Sequence, residues 1–126
     1  MKRLGSLMEV ASLAETANDF GTAVVEFLDQ FNIEGNPAML SDEPPLLRTQ
    51  LGDNGPADAY LAAVALHLSR VIGEIPPAWI VRSERYLHQP WFASPGASLR
   101  ATLLLESPTA FRDRNLFVSA NAFDRA

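Results

Sequence analysis

Residues 89–126, QPWFASPGASLRATLLLESPTAFRDRNLFVSANAFDRA, hold the most apolar run of the C-terminal half, Leu103-Leu104-Leu105, between two Ser-Pro pairs. A helix apolar nearly all round has to be covered on most sides. The spacing therefore predicts a central helix over 95–106, against which earlier segments pack. Ser94-Pro95 and Ser107-Pro108 repeat a cap-then-proline start, and the second opens a shorter helix to about Asp113. Asn115 to Val118 can be extended, and Ser119 can cap a last helical turn.

Upstream, Leu4, Leu7, Met8, Ala11 and Ala14 recur at helical spacing and predict an amphipathic helix over 4–16. Phe20, Val24, Phe27 and Phe31 form a cleaner stripe, predicting a helix over 19–32 capped by Asn18 or Asp19. Asn36-Pro37 starts a short helix that Pro44-Pro45 ends. Residues 43–55, with two glycines and an Asp-Asn pair, read as a connection and as the chain's one candidate hinge, with a helical turn at Leu46 to Gln50 as an option. Gly55-Pro56 starts the next helix, with Tyr60, Leu61, Val64, Leu68 and Val71 as its buried stripe and Gly73 as its left-handed stop. Pro76-Pro77 leads into a segment with Trp79 and Ile80, Ser83 caps a brief turn, and Pro90, Trp91 and Phe92 make an aromatic corner. Five prolines, Pro37, Pro56, Pro77, Pro95 and Pro108, sit at helix starts. No run alternates in a way that demands a sheet. The expectation is an all-α fold, a single compact orthogonal-type bundle of about six or seven helices, several short, over residues 1–126.

The chain has 126 residues, enough for one domain with its own core, and its hydrophobic share of 48% suits an ordinary globular protein. It has no Cys, which excludes disulfides, thiolate zinc sites and a cysteine nucleophile and suits a cytoplasmic setting. Glu9 interrupts any signal-like apolar region at the start, and no stretch is apolar for long enough to span a membrane. Charge is uneven: residues 1–60 carry ten acids against three bases, a net −7, and residues 61–126 carry five against seven, a net +2. The acidic half argues against DNA or RNA as a direct partner.

Candidate chemistry is sparse. His67 and His88 are the only histidines, on different predicted elements and without metal-ligand spacing. Ser94, Ser107 and Ser119 precede helix starts, where capping explains them, and none stands in a Gly-x-Ser-x-Gly elbow. Gly52 to Gly55 lacks the residues of a nucleotide loop. No metal, cofactor or catalytic set is expected. Two groups stand out. Glu106, Arg112, Arg114 and Asn115 read first as a salt-bridge and capping cluster that locks the last helices, and second as a contact patch. Trp79, Trp91 and Phe92, with Tyr86, read first as core and second as the wall of a ligand pocket.

One further reading rests on resemblance. Asp19-Phe20-Gly21, Glu26-Phe27-Leu28-Asp29, Glu43-Pro44-Pro45-Leu46-Leu47, Asp58-Ala59-Tyr60-Leu61-Ala62-Ala63, Pro77-Ala78-Trp79 and Pro90-Trp91-Phe92 resemble a little-characterised bacterial all-helical domain. So does the tail Glu106-Ser107-Pro108, Phe111-Arg112, Arg114-Asn115 and Phe117-Val118-Ser119-Ala120. That domain often follows a helix-turn-helix domain in regulator- or antitoxin-like proteins. The present sequence is expected to hold no separate DNA-binding domain, since its first two predicted helices carry almost no Lys or Arg with which to hold phosphates. The resemblance implies a non-catalytic module that binds another protein, a basic toxin or a regulator, or that self-associates, in the bacterial cytoplasm. The alternative is a small-molecule sensor built on the aromatic corner.

Overall fold

A computed structural model describes residues 4–92 and 107–118, with the side chains of residues 17 and 18 left aside. The predicted central helix over 95–106, with Glu106, and the last turn at Ser119 lie outside the described residues.

The described part is mostly helical. Helix α1 spans Leu7–Leu13, α2 Ala17–Glu34, α3 Arg48–Leu51, α4 Pro56–Val71 and α5 Thr109–Arg112. Tighter 3₁₀ turns occupy Pro37–Leu40, Ala78–Val81 and Ser83–Arg85. Five α-helical segments lie among the described residues, and several short predicted helices close as 3₁₀ turns.

Among the described residues, α4 is the helix that most other elements meet: α3, α5, both later 3₁₀ turns and the C-terminal strand pack on it. Its sequence explains why. Ala57, Ala59, Ala62, Ala63 and Ala65 favour helix and keep its surface low, so neighbours approach from several sides. Ten of its sixteen residues are buried. Only part of the predicted stripe holds: Leu61, Val64 and Leu68 are buried, Tyr60 is half-buried, and Val71 is 67% exposed. The helix stops as its glycine implies. Gly73 adopts φ +70°, its N–H donates to the Arg70 carbonyl, and the Glu74 N–H reaches back to that of Ser69.

The N-terminal hairpin follows its apolar stripes, with altered caps. Helix α1 begins at Ser6, whose hydroxyl accepts from the Glu9 N–H, and buries Leu7, Val10 and Ala11, with Leu4 and Ala14 beyond its ends. Met8, expected inside, is 39% exposed, and Val10 is in its place. Helix α2 is capped by Thr16, which accepts from the Asp19 N–H, so neither Asn18 nor Asp19 is the cap. Val24, Phe27 and Phe31 are buried as the spacing predicts. Phe20 meets the Tyr60 ring edge-on at 5.9 Å, and Tyr60 meets Phe111 at 5.2 Å, so one line of aromatic rings joins α2, α4 and α5.

A two-residue parallel pair departs from the strand-free expectation: β1, Trp91–Phe92, lies beside β2, Leu116–Phe117. The Trp91 N–H donates to the Asn115 carbonyl at 2.8 Å, and Phe92 stacks on Phe117 at 5.0 Å. The extended reading of Asn115 to Val118 holds at Leu116–Phe117. Two residues are too few for alternation to mark a strand in the sequence.

Candidate functional site

Two arginines are carried into the interior, by different routes. Arg85 is fully buried at the end of its 3₁₀ turn. Beside it lies Asp58, fully buried in the first turn of α4. One Asp58 oxygen accepts from the Leu47 N–H at 2.6 Å, and the other from Arg48 Nε at 3.0 Å. Arg85 Nη1 lies 3.9 Å from Asp58 Oδ1 and donates to the Asp58 carbonyl at 3.3 Å. Its Nη2 donates to Glu43 at 3.2 Å and to the Pro44 carbonyl, and the guanidinium lies 4.9 Å from the centre of the Trp79 ring. Glu43 also takes Arg82 at 3.0 Å, and Arg48 donates to the Glu84 carbonyl. The connection expected to hinge, residues 43–55, is therefore held to α4 by Leu47 and Arg48 and to the 83–85 turn by Glu43 and Pro44. Asp53 adds a further tie, its carboxylate accepting from the N–H groups of Gly55 and Ala57 at the start of α4.

Arg114 is 2% exposed and makes no ion pair among the described residues. It donates to the carbonyls of Ile80 at 2.8 Å and Ala110 at 3.4 Å and to the Tyr86 hydroxyl at 3.4 Å, and it lies 4.5 Å from the centre of the Tyr86 ring. Burial lowers its proton affinity; Tyr86 and Asp113 oppose that shift, and Arg70 adds to it. The Nε hydrogens of both buried arginines have no acceptor among the described residues.

Around Arg114 the tail is fastened by polar groups to the backbone. Ser107 was expected to cap α5; instead its hydroxyl donates to the Leu116 carbonyl at 3.0 Å and accepts from the Val118 N–H at 3.1 Å. Arg112 is exposed and donates to the Ser107 carbonyl at 2.7 Å. Asn115 takes φ +65°, a conformation Asn tolerates, and donates to the Leu87 carbonyl at 2.8 Å. Of the cluster read as salt bridges and caps, Arg112, Arg114 and Asn115 donate to backbone carbonyls and make no ion pair among the described residues, and Glu106 lies outside them.

The aromatic corner divides. Trp79 is buried and donates to the Leu40 carbonyl at 3.1 Å, whereas Trp91 is exposed and Phe92 packs on Phe117. A different concavity exists, a groove of about 440 Å³ lined by Leu66, Pro76, Pro77, Ile80 and Val81, with Arg70, Tyr86, Asp113 and Arg114 as its polar members. Trp79, Trp91 and Phe92 are not in its wall. Val81 in its wall, and Val71 and Ile75 next to it in sequence, are 67%, 67% and 92% exposed, three of the four most exposed large apolar side chains among the described residues.

Asp58, Arg85 and the groove escaped sequence reasoning. Asp58 left one trace: an acid between Ala57 and Ala59 on a helix otherwise apolar through Ala65. Arg85, within Ser83-Glu84-Arg85-Tyr86, looked like any surface arginine. His67 packs against Phe111 with 6.3 Å between rings, its proton affinity lowered by burial and then by Arg70. Burial pushes Tyr60 up to about 12. Among the described residues no three of His, Asp and Glu gather as metal ligands, and no helix is long and apolar enough to cross a membrane.

Set against known proteins, the chain matches no family model, no curated protein and no solved structure.

Proposed function

We propose that the protein is a non-catalytic protein-interaction module, regulatory or antitoxin-like, working in the cytoplasm. The observation that carries this reading is the exposure of Val81 in the groove wall and of Val71 and Ile75, next in sequence to its lining residues Arg70 and Pro76. Exposed apolar side chains gathered in one patch mark contact sites more often than scattered ones do. The chemistry of the interior agrees with it: Asp58, Arg85 and Arg114 are engaged with backbone groups and with one another's loops, which gives rigidity to the surface they support. Exposed acids on α2 and just before it, Asp19, Asp29, Glu34 and Glu15, add negative charge for steering a basic partner.

A photo-crosslinking side chain placed at position 75, and in a second protein at position 33, tests this in the cell of origin. Ile33 is a fair control because it is also 69% exposed but lies far along the sequence, in α2. A discrete heavier adduct from position 75 alone is expected, and its mass tells a foreign partner from a second copy. No adduct at 75, or the same ladder from both positions, sinks the reading.

A further inference from the structure

The groove combines an apolar floor with a cation that has been carried inside without an ion-pair partner among the described residues. Buried charges are ordinarily paired, because an ion removed from water loses solvation that dipoles replace only in part. Arg85 obeys this rule, with Asp58 and Glu43 beside it. Arg114, equally enclosed, has two carbonyls and a phenol. Arg70, exposed near the C-terminus of α4, lines the same groove and makes no ion pair or side-chain hydrogen bond among the described residues. Asp113 is the one acid in the wall, and it too makes no ion pair there.

We propose that this groove binds a segment of a partner protein in which a carboxylate lies beside apolar side chains. The carboxylate accepts from Arg70, with the buried charge of Arg114 behind it, and the apolar side chains lie on Pro76, Pro77, Ile80 and Val81. The inference rests on the protein-interaction reading and names the chemistry of the partner. A protein segment is favoured over a free small acid because Val71 and Ile75, next in sequence to the lining residues Arg70 and Pro76 but outside the wall, are 67% and 92% exposed. A ligand filling only 440 Å³ leaves them bare. Asp113 sets the specificity on the other side: it repels a second carboxylate, so one negative group is admitted and an acidic run is not.

The test begins with a displayed library of random decapeptides selected on the full-length protein. The best enriched sequence is then synthesised with a fluorophore and titrated by anisotropy. Enriched sequences are expected to share one Asp, Glu or free C-terminus next to Leu, Ile, Val or Phe. C-terminal amidation distinguishes a terminal carboxylate from a side-chain one. Neutralising that carboxylate in the peptide, or R70E in the protein, is expected to weaken binding by about fivefold or more, in the range of a close charge pair. Replacing the peptide's acid by Arg is expected to restore binding to R70E, and D113N is expected to tighten the acidic peptide. Arg70 is exposed, so R70E keeps the fold intact, which its unfolding midpoint confirms. Enrichment of peptides without a carboxylate, indifference of the acidic peptide to R70E, or no enrichment at all overturns the proposal. A position-75 adduct obtained alongside any of these leaves the interaction reading standing and removes only the carboxylate.

Discussion

Arg85 and Arg114 invite comparison, because both are buried and both leave Nε unpaired, yet their surroundings have opposite logic. Arg85 has carboxylates on two sides and gathers three stretches, 43–48, 58 and 82–85, around one charge. Arg114 has dipoles and a ring, and it fastens the tail to the 78–86 region. The first arrangement is electrostatically closed. The second retains a positive charge at the wall of a groove. A closed ion cluster holds a fold and has little left for a visitor, whereas an uncompensated cation at a concave surface can still gain from one.

The strongest way to break this contrast is Asp58→Asn. It preserves the shape of the side chain and strips the charge that Arg85 and Arg48 face. The expected loss is about 3–5 kcal/mol, the usual effect of orphaning a buried partner, read from the urea midpoint. A loss below about 1 kcal/mol would mean that Glu43 alone compensates Arg85 and that the cluster is not closed around Asp58.

Next comes a pair of substitutions by the same residue. Arg85→Met abandons Asp58 in the interior with Arg48 as its remaining cation, and is expected to cost about 2–4 kcal/mol. Arg114→Met abandons only carbonyls and a hydroxyl, and removes a charge with no ion-pair partner among the described residues, so about 1–2 kcal/mol is expected. Should the two losses come out equal, the difference in partners has no energetic meaning and the argument for an anion at the groove weakens with it.

A pH series sharpens the comparison at α5, where Tyr60 packs against Phe111: burial holds Tyr60 protonated up to about 12. Its folded pKa is raised above the unfolded value near 10. The contribution is therefore complete below pH 10 and is lost as pH rises from there through 12. The expected decline is up to about 2 kcal/mol, and Tyr60→Phe should flatten the slope whatever it does to the level. An unchanged slope in that variant would place the alkaline sensitivity elsewhere.

Much of the helical framework was legible in the residues because it depends on repeated local signals. Phe20, Val24, Phe27 and Phe31 fall on one face whatever the rest of the chain does. Gly55-Pro56 and Gly73 bound α4 through backbone preferences that need no tertiary partner. What escaped depends on contacts between distant residues. Thr16 rather than Asn18 caps α2, a choice among adjacent polar residues that position alone does not settle. Asp58 is buried where Leu47 and Arg48 from one stretch and Arg85 from another meet it, at separations of 11, 10 and 27 residues. Arg85 and Arg82 look alike in sequence, yet one is fully buried and the other exposed. The groove was invisible for the same reason, since its wall comes from α4, the 76–81 segment, Tyr86 and the tail. In the tail, the sequence groups Arg112, Arg114 and Asn115 by nearness, but Ile80, Tyr86 and Leu87, which Arg114 and Asn115 reach, lie 28 to 34 residues away.

Ser107 gives the finest test of how the open region is held. Its hydroxyl bridges the Leu116 carbonyl and the Val118 N–H, and all three residues are buried, so water offers no substitute. Ser107→Ala removes both bonds and leaves a donor and an acceptor unsatisfied, which should cost about 1–2 kcal/mol. The location of the effect matters more than its size. Hydrogen exchange at the Val118 amide should quicken more than the global loss requires, while the Leu47 amide, held by Asp58, should quicken only by that global amount. If both amides speed up equally, the Arg114 region and the Arg85 region open as one cooperative unit, and the groove cannot loosen to admit a segment without loosening the closed cluster as well.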